Sequence, residues 1–152
     1  MLKNGASAPE FALQDENGDE VSLSSLLADG PLILYFYPAD FTPGCTKEAC
    51  SIRDIHDDIQ AVGLTVVGVS PQDAGSHQKF RDKHELPFKL LCDPEKEVIK
   101  MYDVDGPLGI GVRRVTYLIN QDQTIADAVQ ADLMIGRHKE FIDNAIELRR
   151  SS

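Results

Sequence analysis

The run Leu32-Ile33-Leu34-Tyr35-Phe36-Tyr37, closed by Pro38, constrains this chain more than any other stretch. Six apolar or aromatic side chains in succession leave no polar face, the pattern of a strand buried on both sides. Such a strand belongs in the middle of a sheet, with a layer above and a layer below. Pro38 stops it, because proline has no N–H to give to a ladder. A helix start follows at once: Thr42 is a natural N-cap and Pro43 suits the first helical position. The helix is expected to run on to Gly63, which ends it.

Cys45 falls in the first turn of that helix, among free backbone N–H groups and at the positive end of the dipole. A thiol is a poor nucleophile at its free pKa of about 8.5, and a helix N-terminus is one of the places that lowers it. The plain alternative is that Cys45 is a small buried hydrophobe, as many free cysteines are. Cys50 argues against that. At 100° per residue, Cys45, Ala49, Ile52, Ile55, Ile59 and Val62 share one face, while Cys50 lies opposite with Lys47, Arg53, Asp54 and Asp57. Cysteine usually packs inside, so one on a polar face needs a reason. Helix geometry separates the two Cα atoms by roughly 8–9 Å. A disulfide needs less than about 7 Å, so these thiols join only if the first turns unwind.

The remaining chain alternates strands with helices. Phe11, Leu13, Val21 and Leu23 flank a reversal at Glu16-Asn17-Gly18-Asp19, and Ser22–Leu27 closes into a short helix. Leu64–Ser70 reads as a second β-branched strand, Ala74–His84 as a helix, and Phe88–Asp93 as a short strand. Asp93-Pro94 is expected to cap a helix reaching Tyr102. Gly106–Gly111 is a glycine-rich loop or irregular hairpin. Arg114–Ile119 and Thr124–Gln130 are strands, and Gly136–Arg150 is a helix with Phe141, Ile142, Ala145 and Leu148 inward. This order predicts one α/β domain over residues 1–152, in three layers, with antiparallel hairpins at both ends.

Net charge is −10, and the pairs Arg113-Arg114 and Arg149-Arg150 are too small to offset it, which argues against nucleic acid as a partner. No run approaches the ~18 apolar residues of a membrane span. The N-terminal residues lack the apolar core of a secretory signal. Three cysteines, an odd number, suit a reducing compartment, so a cytoplasmic location is expected.

At Pro38-x-x-x-Thr42-x-x-Cys45 the sequence resembles the active-site motif of the peroxiredoxins. The longer string Phe36-Tyr37-Pro38…Thr42-Pro43-Gly44-Cys45-Thr46-x-Glu48-Ala49-Cys50 is similar to their bacterioferritin comigratory protein, or peroxiredoxin Q, branch. Gly5-Ala6-Ser7-Ala8-Pro9-Glu10-Phe11 and Arg114–Ile119 extend the likeness over nearly the whole chain, whereas Asp103–Leu108 departs from it. The resemblance implies a thioredoxin-like fold, with a central mixed sheet, helices on both faces and an added N-terminal hairpin. It also implies thiol-dependent reduction of hydrogen peroxide and organic hydroperoxides, without metal or organic cofactor. Residue by residue, Cys45 matches the peroxidatic cysteine and Cys50 the resolving cysteine, which together form a redox-active disulfide. Thr42, Gly44, Cys45 and Arg114 match the residues that hold the peroxide, and Pro38 the one that shields the pocket. Glu48 matches a position near the site, with a simple surface charge as the alternative. Thioredoxin or a similar dithiol is the expected reductant, and a monomer the expected state, since both thiols lie on one helix.

The chemistry agrees. Attack of a thiolate on an O–O bond puts negative charge on the departing oxygen, which calls for donors aimed at it. Arg113 and Arg114 point to opposite faces of any strand, so only one reaches the site; the resemblance favours Arg114, and Arg113 is expected to be solvated. Cys92 reads as a buried structural thiol, and His56, His77, His84 and His138 as surface or internally satisfied residues. A zinc site of Cys45, Cys50 and His56 lacks a fourth ligand. A thioredoxin-like disulfide oxidoreductase would carry Cys-x-x-Cys, which is not the spacing here. A redox sensor would use the same thiols once, where an enzyme would turn over many times.

Overall fold

The computed structural model describes residues 1–151. Its strands are β1 (Ala12–Gln14), β2 (Glu20–Ser22), β3 (Leu32–Phe36), β4 (Thr65–Ser70), β5 (Lys89–Cys92), β6 (Val115–Ile119) and β7 (Ile125–Gln130). Its helices are α1 (Leu23–Leu26), α2 (Pro43–Asp54), α3 (His56–Ala61), α4 (Ala74–His84), α5 (Glu97–Met101) and α6 (Gly136–Arg150). The strands form one sheet in the order β2-β1-β5-β4-β3-β6-β7. Neighbours β3, β4 and β5 run parallel, whereas β6 pairs antiparallel with both β3 and β7. The β1–β2 hairpin joins the other edge through Gln14 opposite Cys92.

Every residue of β3 is buried, as its unbroken apolar run requires. Leu32, Leu34 and Phe36 face one core with Phe11, Leu23, Val98, Ile99 and Tyr102. Ile33, Tyr35 and Tyr37 face the other, with Ala49, Ile52, Ile59, Phe80 and Ile142. Strand alternation thus splits one hydrophobic segment between two layers, and the α2, α3, α4 and α6 side contains Cys45. Gly68, opposite Tyr35 in β4, is dictated by packing: a Cβ there would lie 2.7 Å from Cζ of the Tyr35 ring. No helix of the described residues is long and apolar enough to cross a membrane.

Four local expectations are corrected. The cysteine helix does not continue to Gly63; it breaks at Ile55, whose φ of −112° and ψ of 13° leave helical geometry, and α3 starts afresh. The helix α5 begins beyond Asp93-Pro94, because Lys96 takes a left-handed φ of 58°. Asp93 still tethers the segment, its Oδ2 accepting from Ile99 N at 2.8 Å. In α6 Leu148 is 71% exposed, and Ile146 takes the inward place on the stripe with Ile142 and Ala145. Arg113 is half-buried rather than solvated, and its Nε donates to the Asp105 carbonyl across the irregular hairpin.

Candidate active site

The site is built on the turn between β3 and α2. Tyr37 donates its N–H to Val69 O, the last rung beside β4, and Pro38 then takes the chain out of the sheet. Phe41 adopts a φ of 64°, in the left-handed region that non-glycine residues rarely occupy, and its ring packs edge-on against Phe80. This reversal is held from below by Asp40. Its carboxylate accepts from Tyr37 Oη at 2.6 Å and Ser76 Oγ at 2.8 Å, and meets His77 Nδ1 at 2.7 Å. His77 Nε2 lies 2.9 Å from the Leu91 carbonyl, which only accepts, so that nitrogen carries a hydrogen. Burial pushes the Asp40 carboxyl up, but His77, Tyr37 and Ser76 outweigh it and hold the group below its ordinary value.

Pro43 occupies the first turn of α2 as expected, and Thr42 has the extended backbone of an N-cap. The Thr42 side chain, however, makes no capping bond; Oγ1 donates to Ala39 O at 2.9 Å instead. The N–H groups of Gly44 and Cys45 therefore open the helix without an intrahelical acceptor. Cys45 is buried with a free thiol, and Arg114 Nη1 lies 3.3 Å from its Sγ. Arg114 arrives from the residue before β6, and Asp132 Oδ1 fixes its backbone by accepting its N–H at 2.7 Å. Gly44 leaves room for the guanidinium, since a Cβ there would lie 3.1 Å from Arg114 Nη2.

Glu48 lies under this pair. It is fully buried, and Oε1 accepts from Arg114 Nη1 at 2.9 Å, which removes the surface-charge alternative. Burial raises its carboxyl to about 7 against the opposing charge and hydrogen bond of Arg114. For Arg114, burial works against the charge, while Glu48 and Cys45 restore it and raise the group above its ordinary value. The Tyr35 phenol, pushed up by burial and by the nearby Glu48 and Cys45, is buried without a hydrogen-bond partner.

Cys45, Thr42, Gly44, Glu48 and Arg114 are therefore gathered at one helix start. Cys50 is a free, partly exposed thiol on the same helix, and Pro38 is half-buried on the turn between β3 and α2. Cys92 is buried at the end of β5, where burial pushes its thiol to about 11. His77 and His138 are internally satisfied. Sequence reasoning missed the Asp40–His77 brace and the closeness of His138 to Glu48. Spacing carried part of that signal: Glu48 stands one short turn from Cys45, and His138 falls on the inward stripe of Ile142, Ala145 and Ile146.

The AhpC/TSA family profile matches residues 4–128. The chain is 42% identical over 125 residues to chloroplastic peroxiredoxin Q of rice (Oryza sativa subsp. japonica), covering 82% of this chain and 57% of the rice protein's length. It is 40% identical over 127 residues to peroxiredoxin Bcp of Bacillus subtilis, covering 80% of each chain. The crystal structure of peroxidoxin BcpB from Mycobacterium tuberculosis superposes with a TM-score of 0.89 at 34% identity, covering 99% of this chain and 98% of that one. The mixed sheet with helices on both faces is thus the thioredoxin-like peroxiredoxin fold. By profile, sequence and fold together, the chain belongs to the AhpC/TSA family, alongside its peroxiredoxin Q and Bcp members.

Proposed function

We propose that the protein is a thiol peroxidase that reduces hydrogen peroxide and organic hydroperoxides through Cys45. The observation that carries this reading is the 3.3 Å contact from Arg114 Nη1 to a buried Sγ in the first turn of a helix. A fixed positive charge and two unclaimed backbone N–H groups converge there, where a sulfur anion and a developing oxyanion both gain from them. Thr42 Oγ1, whose hydrogen is committed to Ala39 O, offers its lone pairs to the peroxide's O–H.

In the reaction, the Cys45 thiolate attacks the terminal oxygen of the hydroperoxide. An S–O bond forms, the O–O bond breaks, and the alkoxide or hydroxide leaves to take a proton as alcohol or water. Cys45 becomes a sulfenic acid, the first rung of thiol oxidation. The Cys50 thiolate then attacks the Cys45 sulfur, an S–S bond forms, and hydroxide departs to become water. This step requires the opening turns of α2 to unwind, because an intact helix keeps the two Cα atoms about 8–9 Å apart. The break at Ile55 supports this, since it leaves α2 a unit of about three turns that can loosen apart from α3. A dithiol such as thioredoxin then reduces the disulfide by exchange. With both thiols on one helix, the cycle needs no second subunit, and we propose a monomer. Peroxide consumption coupled to thioredoxin, thioredoxin reductase and NADPH tests the reading: many turnovers per protein support it, and turnover that persists in Cys45→Ser refutes it.

A further inference from the structure

One oxygen of Glu48 accepts from Arg114, and the other, Oε2, is buried without a donor. That oxygen lies 3.5 Å from Nδ1 of His138, which is fully buried on α6. The ring's neighbours define its protons. Nε2 lies 2.9 Å from the Ala131 carbonyl, an acceptor only, so Nε2 bears hydrogen. Nδ1 lies 2.8 Å from Thr116 Oγ1, a hydroxyl that can donate or accept. Without a further proton, the Thr116 hydroxyl donates to the lone pair of Nδ1, and an ionised Oε2 at 3.5 Å is left buried with no donor of its own. One proton shared between Oε2 and Nδ1 supplies that donor.

We propose that His138 is a further positioning residue of the site: with Glu48 it holds one shared proton that cancels the carboxylate's charge and keeps Arg114 directed at Cys45. The inference rests on the peroxidase reading above.

The groups facing this pair are few. The helix α2 contributes Cys45 and Glu48 itself, and the start of β6 contributes Arg114. From β3 comes Tyr35, whose phenol burial keeps neutral, and from the segment before α6 comes Asp132, on the exposed side. When Cys45 is in the thiolate form that attacks peroxide, the buried set of Arg114, Cys45, Glu48 and His138 is neutral with the proton present. Without it the set carries one uncompensated negative charge, an arrangement that burial disfavours. Burial also raises Glu48 and lowers His138, so the shared proton rests on the carboxyl side and leaves near neutral pH. Once it leaves, ionised Glu48 competes with Cys45 for Arg114 Nη1, which already bonds both. It also adds negative charge beside the departing oxygen. Oxidation of Cys45 is therefore expected to slow as pH rises through that loss.

The test is the pH titration of the reduced protein by 15N NMR, paired with stopped-flow oxidation by hydrogen peroxide, on wild type, Glu48→Gln and His138→Leu. In wild type the His138 Nδ1 resonance should move with pH. The oxidation rate should fall with the same midpoint by on the order of tenfold, less than the loss of a whole oxyanion donor costs. Both changes should vanish in Glu48→Gln, and His138→Leu should displace the midpoint of the rate by at least one pH unit. An Nδ1 resonance static between about pH 5.5 and 9 overturns the proposal, whatever the variants do. So does a descending limb that survives unchanged in Glu48→Gln. The NMR titration uses no peroxide, so a titrating pair in a protein inert to peroxide would refute the peroxidase reading alone.

Discussion

Arg114 Nη1 lies 3.3 Å from Cys45 Sγ, although 69 residues separate them in the chain. Two different devices bring them together. Cys45 is placed locally, by a strand end, a left-handed residue at Phe41 and Pro43 at the helix start. Arg114 is placed by the sheet, because β6 pairs with β3 from Leu32↔Ile119 to Phe36↔Val115, which delivers residue 114 to the end where β3 gives way to the turn. The contact therefore depends on sheet register as well as on local sequence.

Arg114→Lys should slow the first oxidation of Cys45 by roughly 10²-fold, the loss expected when an aimed donor at a developing oxyanion is misplaced. Lysine keeps the charge but lacks the rigid planar guanidinium that fixes Nη1 between Cys45 and Glu48. Stopped-flow oxidation by hydrogen peroxide reads the effect, with circular dichroism to confirm the fold. A wild-type rate constant would contradict it.

Thr42→Val separates two roles for that side chain. Its hydroxyl makes no capping bond, so α2 should survive, with a cost of about 1 kcal/mol for the lost bond to Ala39 O. Oxidation of Cys45 should nevertheless slow at least tenfold, as for loss of a positioned polar group. Equal loss of helix and rate would make Thr42 merely structural.

Cys50→Ser should leave one rapid oxidation of Cys45 intact and stop efficient cycling with thioredoxin. Unchanged steady-state turnover would remove Cys50 from the resolving role.

Asp40→Ala should destabilise the protein by about 3 kcal/mol at neutral pH, because it strands His77 in a fully buried site. The pH dependence has a definite sign. The folded-state value of Asp40 is depressed, so its stabilisation is fully present above the unfolded value of about 3.9 and is lost as pH falls through the folded one. Urea unfolding at neutral pH and near pH 3 should give a difference between wild type and Asp40→Ala that shrinks in acid. A difference that grows in acid would contradict the assignment.

Much of this was legible in the sequence because it is local. The buried strand, Pro38, the Thr42-Pro43 start and the opposed placement of Cys45 and Cys50 all follow from backbone and periodicity rules. The limits of α4 and α6 also emerge from those patterns. Arg114 needed the family resemblance, since adjacency to Arg113 leaves the choice of face open until the register is known. The break at Ile55 was hidden because its apolar side chain continues the helical stripe. Asp40 and His77 belong to different elements, and no period links them. Leu148 shows the limit of a stripe read by hydrophobicity alone: it stays largely exposed, and Ile146 fills the core instead.

The most direct measurement is peptide mapping by mass spectrometry after one equivalent of hydrogen peroxide under native conditions. A single disulfide joining residues 45 and 50, absent when either is serine, is the predicted product. A peroxide-treated protein in which Cys45 stays reduced, or pairs with Cys92 while Cys50 remains a free thiol, would contradict the account.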